Sequence, residues 1–257
     1  MRIATWNVNS LKVRLEHLQK WAEEAKPDVV CLQETKCVDE QFPLDRVQSF
    51  GFPHVAFAGQ KTYNGVAILS KYPIEDVKVG FQHGEPDAQL RLIQAKVQGV
   101  QLIDCYVPNG HEVGSEKFMY KLAWLARLRE ELIADFKPDQ PLLLCGDLNI
   151  ALTNKDVWDP FEAEGELLFH PQERAALGKV MEWGLADAYR KLKPDGKEFS
   201  WWDYRMLGFQ KNRGFRIDHI FLTAPLLERC KDITLWRPVR KWEKPSDHIP
   251  VSVDLDV

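Results

Sequence analysis

Apolar runs that end in polar residues alternate along the sequence with stretches in which apolar residues recur at helical spacing. The opening predicts three elements: a strand over residues 3–8, a helix over residues 11–25 capped by Ser10, and a strand over residues 28–34. Asn7 and Glu34 stand at the carboxyl ends of the two strands, as polar residues do at the edge of a parallel pair. We therefore expect the chain to begin as a β-α-β unit.

The rest of the chain continues this mixture. Further strands are predicted over residues 55–58, 65–70, 77–79, 92–97, 101–107, 142–145, 199–202, 216–222 and 251–257. Gln98 and Gly99 separate two of these strands and predict a tight hairpin. Amphipathic helices are predicted over residues 118–136 and near residues 172–183. Without repeats or linker composition, this mixture favours one domain, residues 1–257, built from α/β or α+β layers.

The apolar run at residues 142–145 lies between Pro141 and Gly146 and predicts a short, fully buried strand. Asp147 and Asn149 follow, two residues apart, and would point to the same side if the strand geometry continued. A carboxylate beside a carboxamide at the carboxyl end of a strand is suited to orienting and deprotonating a water molecule. Gly, Asp and Asn are also ordinary turn residues, so this stretch alone is more typical of a loop.

Composition and charge narrow the classes of function. The 257 residues carry a formal charge of −4 and the apolar and charged fractions of an ordinary soluble globular protein. No secretory leader and no membrane-spanning run is visible. The five scattered cysteines favour a reducing compartment and argue against disulfides or a zinc site, so we expect a cytoplasmic protein.

One segment is basic although the net charge of the chain is negative. Between Asp203 and Asp218 there is no acidic residue, and the basic residues in this segment are Arg205, Lys211, Arg213 and Arg216. Such a segment could grip a polyanion or could simply be a solvated face.

Polar groups stand at several predicted strand ends: Asn7, Glu34, Asp147 with Asn149, Asp218, and the cluster Ser246-Asp247-His248. Each alone has an ordinary structural explanation, but a layered sheet gathers strand termini into one crevice. Carboxylates and amides without a cysteine or histidine cluster favour a hard cation such as Mg²⁺, which stabilises charge developing on a phosphate. Asp218 could also fix the tautomer of His248 and raise its basicity.

Six motifs occur in order along the chain: Thr5-Trp6-Asn7-Val8-Asn9-Ser10, Leu32-Gln33-Glu34-Thr35-Lys36, Tyr106-Val107-Pro108-Asn109-Gly110, Gly146-Asp147-Leu148-Asn149, Arg216-Ile217-Asp218-His219 and Ser246-Asp247-His248-Ile249-Pro250. Together they resemble the exonuclease III family, the bacterial branch of the exonuclease–endonuclease–phosphatase superfamily, which also includes deoxyribonuclease I. The resemblance covers essentially the whole chain. It implies a deoxyribonuclease I-like α/β fold, a four-layered α/β sandwich of two packed mixed sheets flanked by helices.

The resemblance also implies an activity. Members of the family are Mg²⁺-dependent DNA-repair phosphodiesterases that act on double-stranded DNA, as 3′–5′ exonucleases that trim 3′ ends and as endonucleases at abasic sites. Water attacks the phosphorus in line and leaves a 3′-hydroxyl, with a 5′-phosphate where the cut is internal. No nucleophilic serine or cysteine context is apparent, so no covalent intermediate is expected. Mn²⁺ is expected to substitute for Mg²⁺.

Roles follow from the resemblance position by position. The implied metal ligands are Glu34, as the principal one, with Asn7 and Asp247. The implied catalytic residues are Tyr106, Asp147, Asn149, Asp218 and His248. Asp147 would activate the attacking water, and His248, oriented by Asp218, would bind the scissile phosphate. Asn149 would hold water or phosphate, and Tyr106 would reach the phosphate or the leaving oxygen.

Contacts to DNA are implied in the same way. The residues placed at the DNA are Lys12, Lys36, Tyr63, Asn64, Asn109 and Arg216. A small pocket for a flipped-out abasic sugar is implied at Leu168, Trp201, Phe215 and Ile217, although Trp201 could equally belong to the core. Relatives that cut at abasic sites usually carry a small residue at the position of Leu168. We therefore hypothesise that Leu168 narrows the pocket and favours 3′-end trimming and 3′-phosphatase work over abasic incision.

Two alternatives remain beside the nuclease. A catalytically silent relative that binds nucleic acid or protein should have lost catalytic groups, whereas this chain keeps the carboxylates and His248. A phosphoesterase acting on a substrate other than DNA, such as a phospholipid, is disfavoured by the bacterial-type motifs. The sequence leaves open the balance of activities, the number of metal ions, and whether Asp147 or His248 is the general base. A monomer without membrane contact is the default expectation.

Overall fold

The computed structural model describes residues 1–257. The strands are β1 (Arg2–Asn7), β2 (Val29–Gln33), β3 (His54–Ala58), β4 (Val66–Ser70), β5 (Glu75–Val79), β6 (Leu92–Val97), β7 (Val100–Tyr106), β8 (Leu142–Asp147), β9 (Ala186–Asp187), β10 (Trp201–Trp202), β11 (Gly214–Phe215), β12 (Asp218–Leu222), β13 (Cys230–Leu235) and β14 (Val251–Leu255). The α-helices are α1 (Leu15–Ala25), α2 (Leu44–Ser49), α3 (Glu116–Asp135), α4 (Pro160–Ala163), α5 (Pro171–Met181), α6 (Ala188–Leu192) and α7 (Ala224–Leu227).

The strands form two mixed sheets. One six-stranded sheet has the order β13-β14-β1-β2-β4-β3, the other has the order β5-β6-β7-β8-β12-β9, and β10 pairs with β11 in a separate ribbon. Each six-stranded sheet contains one parallel pair, β1 with β2 and β7 with β8. The carboxyl ends of both parallel pairs carry the polar residues singled out in the sequence.

Three apolar cores fix the layers of the molecule. The largest, of 26 buried residues, lies between the sheets and draws side chains such as Ile3 and Leu143 from both. A second core packs the outer face of the first sheet against α1, through Trp6 and Trp21 among others. A third core packs the outer face of the second sheet against α3 and α5. The order helix, sheet, sheet, helix confirms the predicted four-layered sandwich.

The opening β-α-β unit differs from the prediction at one point. The parallel pairing of β1 with β2 is as predicted, but α1 begins at Leu15 and Ser10 does not cap it. The backbone N–H of Ser10 donates to the carbonyl of Glu34 over 2.8 Å, and that of Leu11 donates to Thr35 over 3.1 Å. This segment is not helical because its N–H groups tie together the loops that follow β1 and β2.

The middle of the chain follows the predicted pattern closely. Val97 and Val100 face each other across the β6–β7 hairpin, and the intervening Gln98 and Gly99 have φ angles of 51° and 78°. Two positive φ angles are those of the tight turn that suits the twist of a hairpin. The strand over Cys230–Leu235 was not predicted, since its sequence mixes charged and apolar residues without clean alternation.

The structure also bears on the cysteines and on the possibility of a membrane-spanning helix. All five cysteines are buried and unpaired. None of the helices is long and apolar enough to cross a membrane.

Candidate active site

Catalytic candidates from both sheets meet at one end of the sandwich, where β1, β2, β7, β8 and β12 come together. A cleft of about 390 Å³ opens there, and its walls include Glu34, Tyr106, Asp147, Asn149, Trp201 and His248. These residues lie far apart in the sequence. The structure therefore brings the predicted polar strand ends into one crevice, as the layered topology requires.

His248 lies between two carboxylates at the base of this cleft. Its Nδ1 is 2.9 Å from Oδ2 of Asp218, and its Nε2 is 3.6 Å from Oδ2 of Asp147. Ser200 Oγ accepts the backbone N–H of Asp218 over 3.0 Å and so fixes the start of β12. Burial alone would lower the pKa of His248, but the charges of Asp218 and Asp147 raise it to about 10. The two carboxylates therefore favour the protonated imidazole, which faces the cleft.

Asp147 is buried at the end of β8 and has an unusual pKa. Burial raises the pKa of its carboxyl to about 7, the cation of His248 opposes this, and the nearby charges of Asp218 and Glu34 add to it. Asn7 donates to its Oδ2 over 2.8 Å, and the backbone N–H of Asn149 donates to its Oδ1 over 3.0 Å. A carboxyl that titrates near neutral pH can act as a general base.

Asn149 reaches Asp147 by a turn and not by continuation of the strand. The condition that the strand geometry continues is not met, because β8 ends at Asp147 and Asn149 has a φ of 51°. This left-handed conformation brings Nδ2 of Asn149 within 3.3 Å of Oδ2 of Asp147. The same Nδ2 donates to the carbonyl of Val107 over 3.0 Å, and Oδ1 accepts from Asn109 over 3.1 Å. The carboxamide thus has every polar atom engaged and one defined orientation.

Glu34 also leaves its strand through a left-handed residue. Its φ of 53° directly follows β2 and turns the carboxylate into the cleft. Asn7 donates to its Oε1 over 2.8 Å, and Lys36 forms an ion pair with its Oε2 over 2.8 Å. Strained backbone of this kind at a cluster of charged groups is characteristic of functional sites.

A divalent cation fits this end of the molecule. Atoms of Glu34, Asp147 and His248 all lie within 4.8 Å of one another, and the two carboxylates are the groups that would hold the cation. The two carboxylates supply the hard oxygen donors that Mg²⁺ prefers, and both accept from the single amide group of Asn7. A donor that bridges the buried Asp147 and the partly buried Glu34 marks a place where positive charge is favourable.

Asp247, also predicted as a metal ligand, lies outside that group. Its Oδ1 accepts from Asn9 over 2.9 Å, and its Oδ2 accepts from the indole N–H of Trp201 over 2.9 Å. Asn9 was not singled out from the sequence, although its spacing from Asn7 repeats that of Asp147 and Asn149. Its Oδ1 also accepts from Lys36 over 2.6 Å, so Asn9 links Asp247 to the Glu34 side of the cleft.

Tyr106 closes the cleft at the end of β7. Burial raises the pKa of its hydroxyl well above the usual range, and the charges of Glu34 and Asp147 raise it further, so it remains a protonated donor. The guanidinium of Arg91 lies over its ring, 4.5 Å from the centroid, and donates to its carbonyl over 3.2 Å. Arg91 carries no motif that sequence reasoning could use, since only the fold brings it to Tyr106.

The four residues predicted to line the sugar pocket differ in whether they reach the cleft. All four residues belong to one apolar cluster, and Leu168 and Trp201 also line the cleft. Leu168 is only 7% exposed and has a φ of 74°, a conformation that side-chain-bearing residues rarely adopt. Its carbonyl accepts the N–H of Ala151 over 2.7 Å, which holds the residue in this conformation.

The residues predicted to contact DNA have different environments. Lys12 and Tyr63 are exposed, and Tyr63 shows 67% of its surface. Asn64 is mostly buried and donates to Gln60, while the ammonium of Lys36 is engaged by Glu34 and Asn9 inside the site. A second cleft of about 570 Å³ adjoins the first and is lined by Tyr63, Asn64, Arg91, Asn109, His111 and Lys117, among others. This cationic and aromatic surface continues from the catalytic groups.

Arg216 requires a correction, because it cannot contact DNA from where it lies. Its side chain is 1% exposed and forms ion pairs with Asp156 over 2.7 Å and with Asp187 over 2.6 Å. It also contacts His219, whose other ring nitrogen is 2.8 Å from the carbonyl of Ile150. Arg216 therefore braces the loop after Asn149 from inside the protein. The exposed part of the predicted basic run is Arg205, Lys211 and Arg213.

Known proteins share this architecture over its full length. The Endonuclease/Exonuclease/phosphatase family matches residues 4–248. Exodeoxyribonuclease III of Haemophilus influenzae is 37% identical over 263 residues, which cover 98% of each chain. The structure of an AP endonuclease from Archaeoglobus fulgidus has a TM-score of 0.96 at 40% identity and covers 100% of both chains. A 3′ phosphatase from Neisseria, solved with a product DNA hairpin, has a TM-score of 0.94 at 39% identity with the same coverage.

The AP endonuclease and the 3′ phosphatase are almost equally similar to this chain, so overall identity does not separate the two activities. Family match, full-length relatives and the geometry of the cleft agree with the six motifs. They confirm the predicted family and enzyme class: the chain belongs to the Endonuclease/Exonuclease/phosphatase family, among its metal-dependent DNA-repair nucleases.

Proposed function

We propose that this nuclease hydrolyses the phosphodiester backbone of double-stranded DNA with Mg²⁺ as its cofactor, trimming 3′ ends more readily than it incises abasic sites. The observation that carries the chemistry is the position of His248 between Asp218 and Asp147, beside Glu34. The imidazolium of His248, the carboxyl of Asp147 as base and the carboxylate oxygens for a metal ion then surround one point in an open cleft.

Each side chain has a role in this proposal. Asp147 accepts the proton of the attacking water, since its carboxyl titrates near neutral pH and Asn149 is held beside it. His248, already protonated, binds a phosphate oxygen and stabilises the charge that develops on it. We therefore assign the role of general base to Asp147 and that of phosphate-binding cation to His248. Tyr106 donates its hydroxyl toward the phosphate.

Glu34 is proposed as the principal carboxylate for the cation, with Asn7 beside it and Asp247 as a further residue of the same cleft. When bound, Mg²⁺ supplies neutralisation of phosphate charge, and Mn²⁺ is expected to replace it because both are hard, oxygen-preferring ions. The bonds from Asn9 and Trp201 to Asp247 favour an indirect role for that carboxylate.

Substrate preference is proposed to depend on Leu168. Its buried side chain fills the wall where the abasic sugar would enter, and its left-handed backbone suits a glycine better than a leucine. The similarity to the Neisseria 3′ phosphatase supports DNA ends as substrates. We further propose that residues 1–257 act as one catalytic domain, as a monomer, and in the cytoplasm, where a reducing environment suits the five unpaired cysteines.

The test uses purified protein, Mg²⁺ and two labelled duplexes, one with an internal abasic-site analogue and one with a recessed 3′ end. Each is incubated with and without a chelator. Trimming of the 3′ end with little incision supports the proposal, whereas equal cleavage of both would overturn the role of Leu168. Absence of Mg²⁺-dependent cleavage of either duplex would overturn the proposed substrate.

A further inference from the structure

Lys121 is a fully buried lysine that reaches the active site from behind. It lies on α3 with 0% of its side chain exposed, where a charge is costly unless it is compensated. Its Nζ donates to the carbonyl of Asn149 over 2.7 Å and to the carbonyl of Asn109 over 3.1 Å, and it forms an ion pair with Glu173. All three donors of the ammonium are therefore used.

Glu173 connects the same lysine to the wall of the cleft. It is also fully buried, and its Oε2 accepts the backbone N–H of His170 over 2.9 Å at the start of α5. His170 follows Leu168 by two residues. The ion pair thus joins α3 to the segment that carries the proposed specificity residue.

The two carbonyls held by Lys121 belong to the residues whose side chains meet in the site. Asn109 donates to Oδ1 of Asn149, which lies beside Asp147. Gly110 makes the close approach possible, because a Cβ there would stand 3.2 Å from Cδ of Lys121 and its φ is 97°. One ammonium group therefore anchors the backbone of both asparagine loops.

We propose that Lys121 is a positioning residue for DNA hydrolysis: by binding the carbonyls of Asn109 and Asn149 it holds the carboxamide of Asn149 beside Asp147. Glu173 neutralises the lysine and keeps it in place. The inference rests on the role proposed for Asn149. A purely structural ion pair would instead affect the stability of the fold without a specific effect through Asn149.

The test removes both charges together. Lys121→Met alone leaves Glu173 buried without a partner and could unfold the protein, whereas the paired variant Lys121→Met/Glu173→Met keeps the volume and leaves no unpaired charge. We expect the paired variant to fold, to bind the recessed duplex with a Kd within about 3-fold of wild type, and to lose about 10- to 100-fold in kcat. Unchanged kcat would overturn the proposal.

A double-mutant cycle separates positioning from a general structural effect. If Lys121 acts through Asn149, the paired change should lower kcat by less than about 3-fold in an Asn149→Ala background. Equal losses in the two backgrounds would overturn the proposal and leave the proposed function intact. Wild-type turnover by Asn149→Ala itself would overturn both the role of Asn149 and the inference built on it.

The chain offers a matched control in the ion pair between Arg2 and Asp254, whose atoms are 2.7 Å apart. Arg2 opens β1, whereas the active site lies at the carboxyl end of that strand. Arg2→Met/Asp254→Asn should shift the thermal midpoint without lowering kcat by more than about 2-fold. If the control lowered kcat as much as the Lys121/Glu173 pair, the proposed specificity of Lys121 would be refuted.

Discussion

The side-chain amide of Asn109 donates to Oδ1 of Asn149 over 3.1 Å and so joins two loops that are 40 residues apart in the sequence. The side chain of Asn149 is otherwise held by the carbonyl of Val107 and by Asp147. The oxygen of its amide faces a donor and the nitrogen faces acceptors, so the amide has one orientation. The nitrogen is directed to the carboxylate that we propose as the general base.

Asn109→Ala should lower kcat by about 10-fold, because Asn149 loses the partner of its oxygen and can rotate. Asn109 is exposed, so the free energy of unfolding should change little. Single-turnover cleavage of the recessed duplex measures the first effect and urea denaturation the second. If the free energy of unfolding fell by as much as the activation free energy of cleavage rose, Asn109 would support the fold and not the chemistry.

Asp147→Asn should reduce turnover by about 10²- to 10⁴-fold, since the amide cannot accept the proton of water. DNA binding, measured by fluorescence anisotropy in the presence of Ca²⁺, should be nearly unchanged. If binding and turnover fell in parallel, Asp147 would be a binding residue, and the assignment of the base would be wrong.

His248→Ala should lower kcat by about 10²- to 10³-fold, because the developing phosphate charge loses its fixed cation. Asp218→Asn should be milder, since the imidazole stays in place and loses only the carboxylate that orients it and raises its pKa. The two variants are compared by kcat on the recessed duplex. The reverse order of effects would contradict the roles assigned to the pair.

Leu168→Gly should increase incision at the abasic analogue relative to trimming of the 3′ end. Its effect on stability combines two opposite contributions, relief of the left-handed backbone by about 1 kcal/mol and loss of a buried leucine at about 2–5 kcal/mol. The thermal midpoint should therefore fall. Leu168→Ala also opens the pocket, but alanine keeps the strain of the left-handed backbone. This variant should therefore gain abasic incision, and it should lose more stability for each atom removed than Leu168→Gly does. No gain in either variant would exclude Leu168 as the determinant.

The ion pair between Asp156 and Arg216 should make stability sensitive to acid. Burial would raise the pKa of Asp156, but Arg216 lowers it from 3.8 to about 2. Because the folded pKa lies below the unfolded one, the stabilisation is fully present above about pH 4 and is lost as the pH falls toward 2. The amount is about 2–3 kcal/mol.

Asp156→Asn should remove that part of the pH dependence and should destabilise the protein at pH 7. Denaturant titrations at pH 7, 4 and 3 measure both effects. The stability of Asp203→Asn, a change at an exposed Asp–Arg pair, serves as the comparison and should differ little from wild type. An Asp156 variant that kept the acid sensitivity of the wild type would contradict the assignment.

The site could be predicted from the sequence wherever chemistry coincides with strand ends. Glu34 and Asp147 follow buried apolar runs, so their place at the carboxyl ends of buried strands could be inferred before the fold was known. Their geometry could not. The left-handed residues at Glu34 and Asn149 depend on hydrogen bonds between loops from different strands, which no local pattern records.

Two charged residues show why the rest of the site could not be predicted from the sequence. Arg216 belongs to a basic run that is typical of a surface, but its partners Asp156 and Asp187 are supplied by distant segments. Lys121 lies on the buried face of α3, and helical periodicity does not predict a lysine in a core. A buried lysine is intelligible only with its carbonyl partners and Glu173 in view.

The pairing of the first strand with β14 has a consequence for the biogenesis of the enzyme. Arg2, Ile3, Ala4 and Thr5 pair with residues 251–254, so one edge of β1 has no partner until that segment has been synthesised. The same segment begins three residues after His248. A nascent chain can therefore assemble neither the complete sheet nor the complete catalytic cluster, and nuclease activity arises only after synthesis has passed β14.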